Sequence, residues 1–223
     1  MSLIVYGGSI SPFVRKVRVV LIEKGLDYRL DPVNPFAPQP EFLGISPLKR
    51  IPVLRDTDQA EPNTLPDSSV ICDYLEHKYP EPALYPKTVF ARARALWFEE
   101  YADSAVAETI GRGLFFERIV KRMLRQEPDE AVCSKTLTQR IPPLFDYLER
   151  EIGPHQFLVE ERFSIADITV GSMFVNFLHA GEVPSKDRWP QLAAYVTRIH
   201  ARPSFAALME EENRLIASLR KAQ

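Results

Sequence analysis

Two cysteines, Cys72 and Cys133, are all that the 223 residues contain. That is too few for a disulfide framework, and their separation matches no metal-ligand spacing, which excludes a stapled secreted scaffold and a cysteine-held metal centre. A reducing compartment fits. Charge of one sign is equally lacking: 28 Lys and Arg stand against 30 Asp and Glu, a formal net charge of −2, interspersed along the chain. Nothing gathers into the basic face of a nucleic-acid binder or the polybasic patch that seeks an anionic membrane, so neither partner is expected. No run approaches the roughly 20 apolar residues that cross a bilayer. The opening Met1–Tyr6 is apolar but has no basic n-region, and it stops at Gly7–Gly8, short of a signal h-region. A soluble, cytoplasmic chain is expected. The four histidines, His77, His155, His179 and His200, form no ligand pattern, and no metal is expected.

What is present reads as two parts. Leu3–Tyr6 is a short apolar run closed by two glycines, the signature of a buried strand. Ser11–Pro12 then starts a helix, with a hydroxyl at the cap and proline at the first helical position; Gly25 stops it. Tyr28–Leu30 reads as a second strand, so strand–helix–strand argues for a parallel pair. Pro32, Pro35, Pro38, Pro40 and Pro47 make the next stretch irregular, with at most a short helix near Glu41–Leu43. Ile51–Leu54 reads as a third strand with proline at its start, Thr64–Leu65 as a fourth, and Ser68 or Ser69 as the cap of a helix running to about Tyr79. Pro80, Pro82 and Pro86 then interrupt both kinds of structure.

Beyond them the patterns are helical only: Ala91–Ala107, Leu114–Arg125, Ala131–Glu151, Ile165–Ala180, Leu192–Ala201 and Phe205–Leu219. The expected architecture is α/β plus all-α, with a βαβ–ββα domain over residues 1–80, a linker over 81–87 and a helical-bundle domain over 88–223. Along the first helix, Arg15, Lys16 and Arg18 read as its wet face. Cys72 reads as a small buried hydrophobe, and Cys133, opening a new helix, as exposed with no catalytic partner.

Five segments carry more than architecture: Ser11–Pro12–Phe13–Val14–Arg15–Lys16–Val17, Ile51–Pro52–Val53–Leu54, Asp67–Ser68, Phe163–Ser164–Ile165–Ala166–Asp167 and Ala201–Arg202–Pro203–Ser204–Phe205. Each alone is weak. In this order, and on this arrangement of elements, the chain resembles the cytosolic glutathione transferases over essentially its whole length, in particular serine-type, bacterial-like members. The resemblance implies a thioredoxin-like first domain that binds glutathione as co-substrate. It implies a helical domain contributing an electrophile site, and a homodimer in which the two domains of opposite subunits face each other.

Ser11 occupies the position that the resemblance makes catalytic. A free thiol of pKa about 8.5 is only a few per cent thiolate at neutral pH. Lowering it by about two units stabilises the anion by roughly 2.7 kcal/mol. A hydroxyl donor at the positive end of a helix dipole can supply that. Two other readings stay open: Ser11 as a plain cap, and Ser9 as the catalytic hydroxyl instead. Serine, unlike the cysteine of related proteins, cannot form a mixed disulfide with glutathione, which favours conjugation or peroxide reduction over thiol–disulfide exchange.

Further site residues follow from the resemblance. Ile51–Pro52 matches a cis proline that turns the Ile51 backbone toward the cysteinyl backbone of glutathione, as an added strand would pair. Asp67 and Ser68 face its γ-glutamyl end; Asp67 replaces the commoner Glu or Gln and is one methylene shorter. Arg50 and Lys49 face its glycine carboxylate. Phe13, Phe36, Tyr101, Phe115 and Phe116 are the candidate walls of the electrophile site, although aromatics at helical spacing are more often core. Ser164 and Asp167 form a capping box, which is structural. Two further functions compete: a glutathione-dependent isomerase or dehalogenase, and a non-catalytic transferase-like binding module. The Ser–Ser–Cys stretch of the maleylacetoacetate-isomerase branch is missing, since residues 9–13 read Ser–Ile–Ser–Pro–Phe.

Overall fold

The computed structural model describes residues 2–221. The chain divides into two compact units between Leu84 and Tyr85.

The first unit is built on a four-stranded sheet: β1 (Leu3–Tyr6), β2 (Tyr28–Asp31), β3 (Val53–Asp56) and β4 (Thr64–Leu65), in the order β2–β1–β3–β4. β1 runs parallel to β2, with Leu3 opposite Tyr28, and antiparallel to β3, with Leu3 opposite Asp56. Leu3 and Val5 are buried while Ile4 and Tyr6 are half-buried, the two-residue alternation of a pleated strand. α1 (Pro12–Glu23) and α3 (Ser68–Lys78) pack against each other, and the short α2 (Pro40–Ile45) buries only Phe42. This is a thioredoxin-like βαβ–ββα unit. β3 begins one residue past Pro52, because proline has no N–H to give the ladder.

Arg15, Lys16 and Arg18, expected on the wet face of α1, are instead buried. Each reaches an oxygen: Arg15 Nη2 donates to the Ile10 carbonyl at 3.4 Å, Lys16 Nζ to Ser69 Oγ at 2.9 Å and Arg18 Nε to Tyr28 Oη at 2.8 Å. Long stems bury their methylenes while the head finds a partner, which hydrophobic spacing does not reveal. The C-terminal end of α1 is held by a fourth buried cation. Lys24 Nζ lies 2.7 Å from Glu76 and donates to the carbonyls of Tyr79 (2.7 Å) and Pro82 (3.0 Å). Glu76 also accepts the Leu84 N–H. The proline-rich stretch after α3 is therefore fastened rather than loose, and Ala83 to Pro86 are buried.

The second unit is all helical: α4 (Val89–Tyr101), α5 (Lys121–Met123), α6 (Glu130–Lys135), α7 (Ile141–Ile152), α8 (Ile165–His179), α9 (Pro190–His200) and α10 (Pro203–Lys221). α4 passes without a break through a π-helical stretch, Ala102–Val120, into α5, so the expected interruption between Ala107 and Leu114 is not there. Gly111 and Gly113 lie inside the helix; Gly113 gives close approach to Thr136, where a β-carbon would sit 2.4 Å from Oγ1. Packing overrides the low helix propensity of glycine. A second π stretch, Thr136–Arg140, joins α6 to α7. α8 is buried on every side, with only Leu178 exposed, which marks it as the centre of this unit. No helix among the described residues is long and apolar enough to cross a membrane.

Candidate active site

The loop that follows β1 is drawn tight by Gly7. A β-carbon there would lie 2.5 Å from Val14 Cγ2 and 3.4 Å from Ile51 Cβ, so only glycine lets the loop close on both. The same construction at Gly8 comes within 3.9 Å of Ile51 Cδ1. The start of α1 and Ile51 thus converge on one loop. Ser11 caps α1 with extended backbone, and its carbonyl accepts the Arg15 N–H at 2.9 Å. Its Oγ accepts the Val14 N–H at only 3.5 Å, the outer limit of hydrogen bonding. The hydroxyl is half-buried, and the first turn of α1 contains no acidic residue to oppose the positive helix end. Ser9, also half-buried, lies two residues upstream, outside the helix.

Ile51–Pro52 is cis, as are Glu61–Pro62 and Glu81–Pro82. Neither the N–H nor the C=O of half-buried Ile51 has a hydrogen-bond partner among the described residues. Backbone groups shielded from water are nearly always paired, so this pair is an open strand edge one residue long. Immediately before it, Ser46 Oγ donates to the Arg50 carbonyl at 2.7 Å and accepts the Arg50 N–H at 3.0 Å. Lys49 closes the turn in a left-handed conformation, φ 56°, with its N–H on the Ser46 carbonyl. The side chains of Lys49 and Arg50 are exposed and enter no ion pair among the described residues.

The cap of α3 is Asp67, not Ser68 or Ser69. Its Oδ1 accepts the N–H groups of Ser69 (2.9 Å) and Val70 (3.1 Å). A carboxylate one residue earlier reaches two orphan donors and adds charge complementary to the helix end, so it outcompetes either serine. Ser68 is the first helical residue and is buried. Lys16 joins this end of α3 to α1 through Ser69. Sequence reading missed both Ser46 and Lys16. Ser46–Pro47 is a turn-initiating pair and could have flagged the first; nothing in the pattern flags the second.

The aromatic candidates fall in both units. Phe13 is half-buried near the start of α1, and Phe36 is 54 % exposed in the loop before α2. In the helical unit Phe115 is buried and Phe116 half-buried. Tyr101 is engaged within its own unit: its hydroxyl donates to the Leu144 carbonyl at 3.2 Å and its ring lies 4.9 Å from that of Tyr147. Burial pushes the Tyr101 hydroxyl up to about 12, so it stays protonated at neutral pH. Cys72 is buried as expected. Cys133 is buried too, against expectation; burial raises its thiol above the ordinary value, opposed by the nearby Arg118 cation. No three His, Cys, Asp or Glu side chains among the described residues are grouped to hold a metal ion.

Comparison with known proteins fits this arrangement. A family model described as the glutathione S-transferase N-terminal domain matches residues 5–83, and one described as the C-terminal domain matches residues 115–212. Glutathione S-transferase 3 of Zea mays is 30% identical over 208 residues, covering 90% of each chain. The chain belongs to the glutathione S-transferase family. A maleylacetoacetate isomerase of Pseudomonas aeruginosa is also 30% identical, over 215 residues, covering 92% of this chain and 93% of that one. Among solved structures, a glutathione S-transferase from Rhodospirillum rubrum F11 superposes with a TM-score of 0.84 at 30% identity, covering 92% of this chain and 91% of that one.

In this glutathione S-transferase-family chain the capping box at the start of α8 is a buried polar knot. Asp167 is fully buried; its Oδ2 accepts the N–H (2.9 Å) and Oγ (3.2 Å) of Ser164, and its Oδ1 accepts the Leu158 N–H (3.0 Å) and Tyr195 Oη (2.9 Å). Desolvation outweighs those four donors and raises the carboxyl to about 6.

Proposed function

We propose that the chain is a serine-type glutathione transferase of the cytoplasm, activating the glutathione thiol beside Ser11 and transferring it to a small hydrophobic electrophile, with organic peroxides as a second substrate class. The observation that carries this reading is the backbone of Ile51, without a hydrogen-bond partner among the described residues, next to the loop that presents Ser11. The cysteinyl backbone of glutathione pairs with it as a one-residue added strand, which directs the thiol toward the start of α1. There the Ser11 hydroxyl donates to the thiolate while the helix end supplies positive potential. Val14 engages that hydroxyl only weakly, so the donor is at hand. Asp67 faces the γ-glutamyl ammonium and Ser68 the α-carboxylate; Arg50, with Lys49, faces the glycine carboxylate. On the first unit, Phe13 and Phe36 are the proposed contacts of the electrophile.

The thiolate absorbance of bound glutathione tests the assignment. It is expected near neutral pH in the native protein and largely lost in Ser11→Ala, because a charge-assisted hydrogen bond of about 1.5–3 kcal/mol corresponds to one to two units of thiol pKa. Should Ser11→Ala keep the thiolate while Ser9→Ala abolishes it, the catalytic hydroxyl is Ser9. Absence of any glutathione binding sinks the reading.

Likeness to an isomerase favours one alternative, glutathione-dependent isomerisation, in which the thiol is returned after each turnover. Ser–Ile–Ser–Pro–Phe at residues 9–13 weighs against it. The free site groups Arg50 and Ile51 weigh against a purely non-catalytic module. A homodimer completes the proposal: Val89, Phe90, Leu96 and Trp97 on α4 are exposed, Val89 by 90 %, and light scattering tests the state.

A further inference from the structure

Ser46 is fully tied, and all of its ties concern one stretch of chain. It sits at the end of α2, where its N–H donates to the Phe42 carbonyl at 3.0 Å. Its own carbonyl accepts the Lys49 N–H at 2.9 Å. Its hydroxyl then both donates to and accepts from the Arg50 backbone, at 2.7 and 3.0 Å. The side chain is 1 % exposed, so water does not compete for these bonds. Between Ser46 and Arg50 the chain turns through the left-handed Lys49, a conformation that a β-carbon disfavours and that needs fixed neighbours to persist.

The effect is a division of labour between adjacent residues. Both backbone groups of Arg50 are occupied by Ser46, which leaves only its guanidinium for a ligand. Neither backbone group of Ile51 has a hydrogen-bond partner among the described residues. A planar guanidinium recognises a carboxylate by a two-pronged contact whose strength depends on orientation, and orientation depends on a fixed Cα. Without Ser46, a five-residue loop on an exposed surface would have to order Arg50 at each binding event, and that ordering entropy would weaken binding.

We propose that Ser46 is a positioning residue for the glycine carboxylate of glutathione, acting through Arg50 and thereby setting the preference for the tripeptide over γ-glutamylcysteine, which lacks that carboxylate. This rests on the glutathione reading above. The chemistry recognised is a terminal carboxylate one residue beyond the cysteinyl unit that pairs with Ile51.

Calorimetric titration of the full chain with glutathione and with γ-glutamylcysteine tests it. Ser46→Ala is expected to weaken glutathione about tenfold and the dipeptide less than twofold, which is the loss of one oriented charge-assisted contact. Arg50→Gln is expected to erase the same preference. Adding Ser46→Ala to it should produce little further loss, because the two act in series. Ser46→Thr, which keeps the hydroxyl, is expected to retain the preference and covers the case in which the alanine variant does not fold. Equal weakening of both peptides by Ser46→Ala overturns the inference, as does additivity with Arg50→Gln or loss of preference in Ser46→Thr. A wild-type chain that binds both peptides alike overturns it while leaving the glutathione reading intact. A chain that binds neither overturns both.

Discussion

Replacing Asp167 by asparagine separates two opposed effects on one buried carboxyl. Four donors favour the anion, and complete removal from water disfavours it; desolvation prevails, raising the group from 3.8 to about 6. The full difference is worth about 3 kcal/mol. Because the folded-state value is raised, the unfolded chain gives up its proton first. The stabilisation is therefore complete below 3.8 and is lost as pH rises through about 6. Between about pH 7.5 and pH 5 the linkage relation gives a recovery of about 1.4 kcal/mol from this group alone.

Asparagine cannot titrate, so the wild type should gain about 1.4 kcal/mol on Asp167→Asn over that interval. The comparison cancels every other titrating group that the two proteins share. In a chain of 223 residues this corresponds to about 3–6 °C in the difference of thermal midpoints. Scanning calorimetry of both proteins at the two pH values measures it. A difference in midpoints that does not change with pH, or that changes in the other direction, would show that the Leu158, Ser164 and Tyr195 donors match or outweigh burial.

Two further outcomes concern packing. Lys24→Met leaves the Glu76 carboxylate and the Tyr79 and Pro82 carbonyls without their shared cation, and should cost about 3–5 kcal/mol in urea unfolding; Lys24→Met with Glu76→Leu should recover part of that loss. If the single variant unfolds at the wild-type midpoint, the ion pair is immaterial. Gly113→Ala forces a β-carbon to 2.4 Å from Thr136 Oγ1 and should cost about 1–3 kcal/mol by thermal melting. Thr136→Ala should be close to neutral alone, since that buried hydroxyl has no hydrogen-bond partner among the described residues, and should relieve the strain of Gly113→Ala.

The first unit was legible because its signals are local. Leu3–Tyr6 before two glycines, Ser11–Pro12 and Thr64–Leu65 each state their conformation within a few residues, and they fall where expected. Local signals fail where distant chain decides. Lys16 looks like a solvated cation until Ser69, 53 residues away, arrives beside it. Gly113 looks like part of a helix break until Thr136, 23 residues on, packs against it. Ser68 and Ser69 read as caps of α3, but Asp67, one residue earlier, takes the orphan N–H groups of Ser69 and Val70. At the candidate site, Ser11, Ile51 and Arg50 were visible as motif residues. Ser46–Pro47 marks a turn, but that Ser46 holds the Arg50 backbone is something no pattern of side chains expresses.

The long bond from Val14 N–H to Ser11 Oγ has an evolutionary reading. Pro12 already begins α1 by its fixed φ, and a hydroxyl at 3.5 Å adds little to that start. Residue 11 is thus a member of the site whose side chain the fold itself uses little. Chemistry at this position can drift, from a hydroxyl that only donates a hydrogen bond to a thiol that bonds covalently to sulfur, while the scaffold beneath it stays the same. A fold organised in this way can diversify its reactions by changing a single side chain.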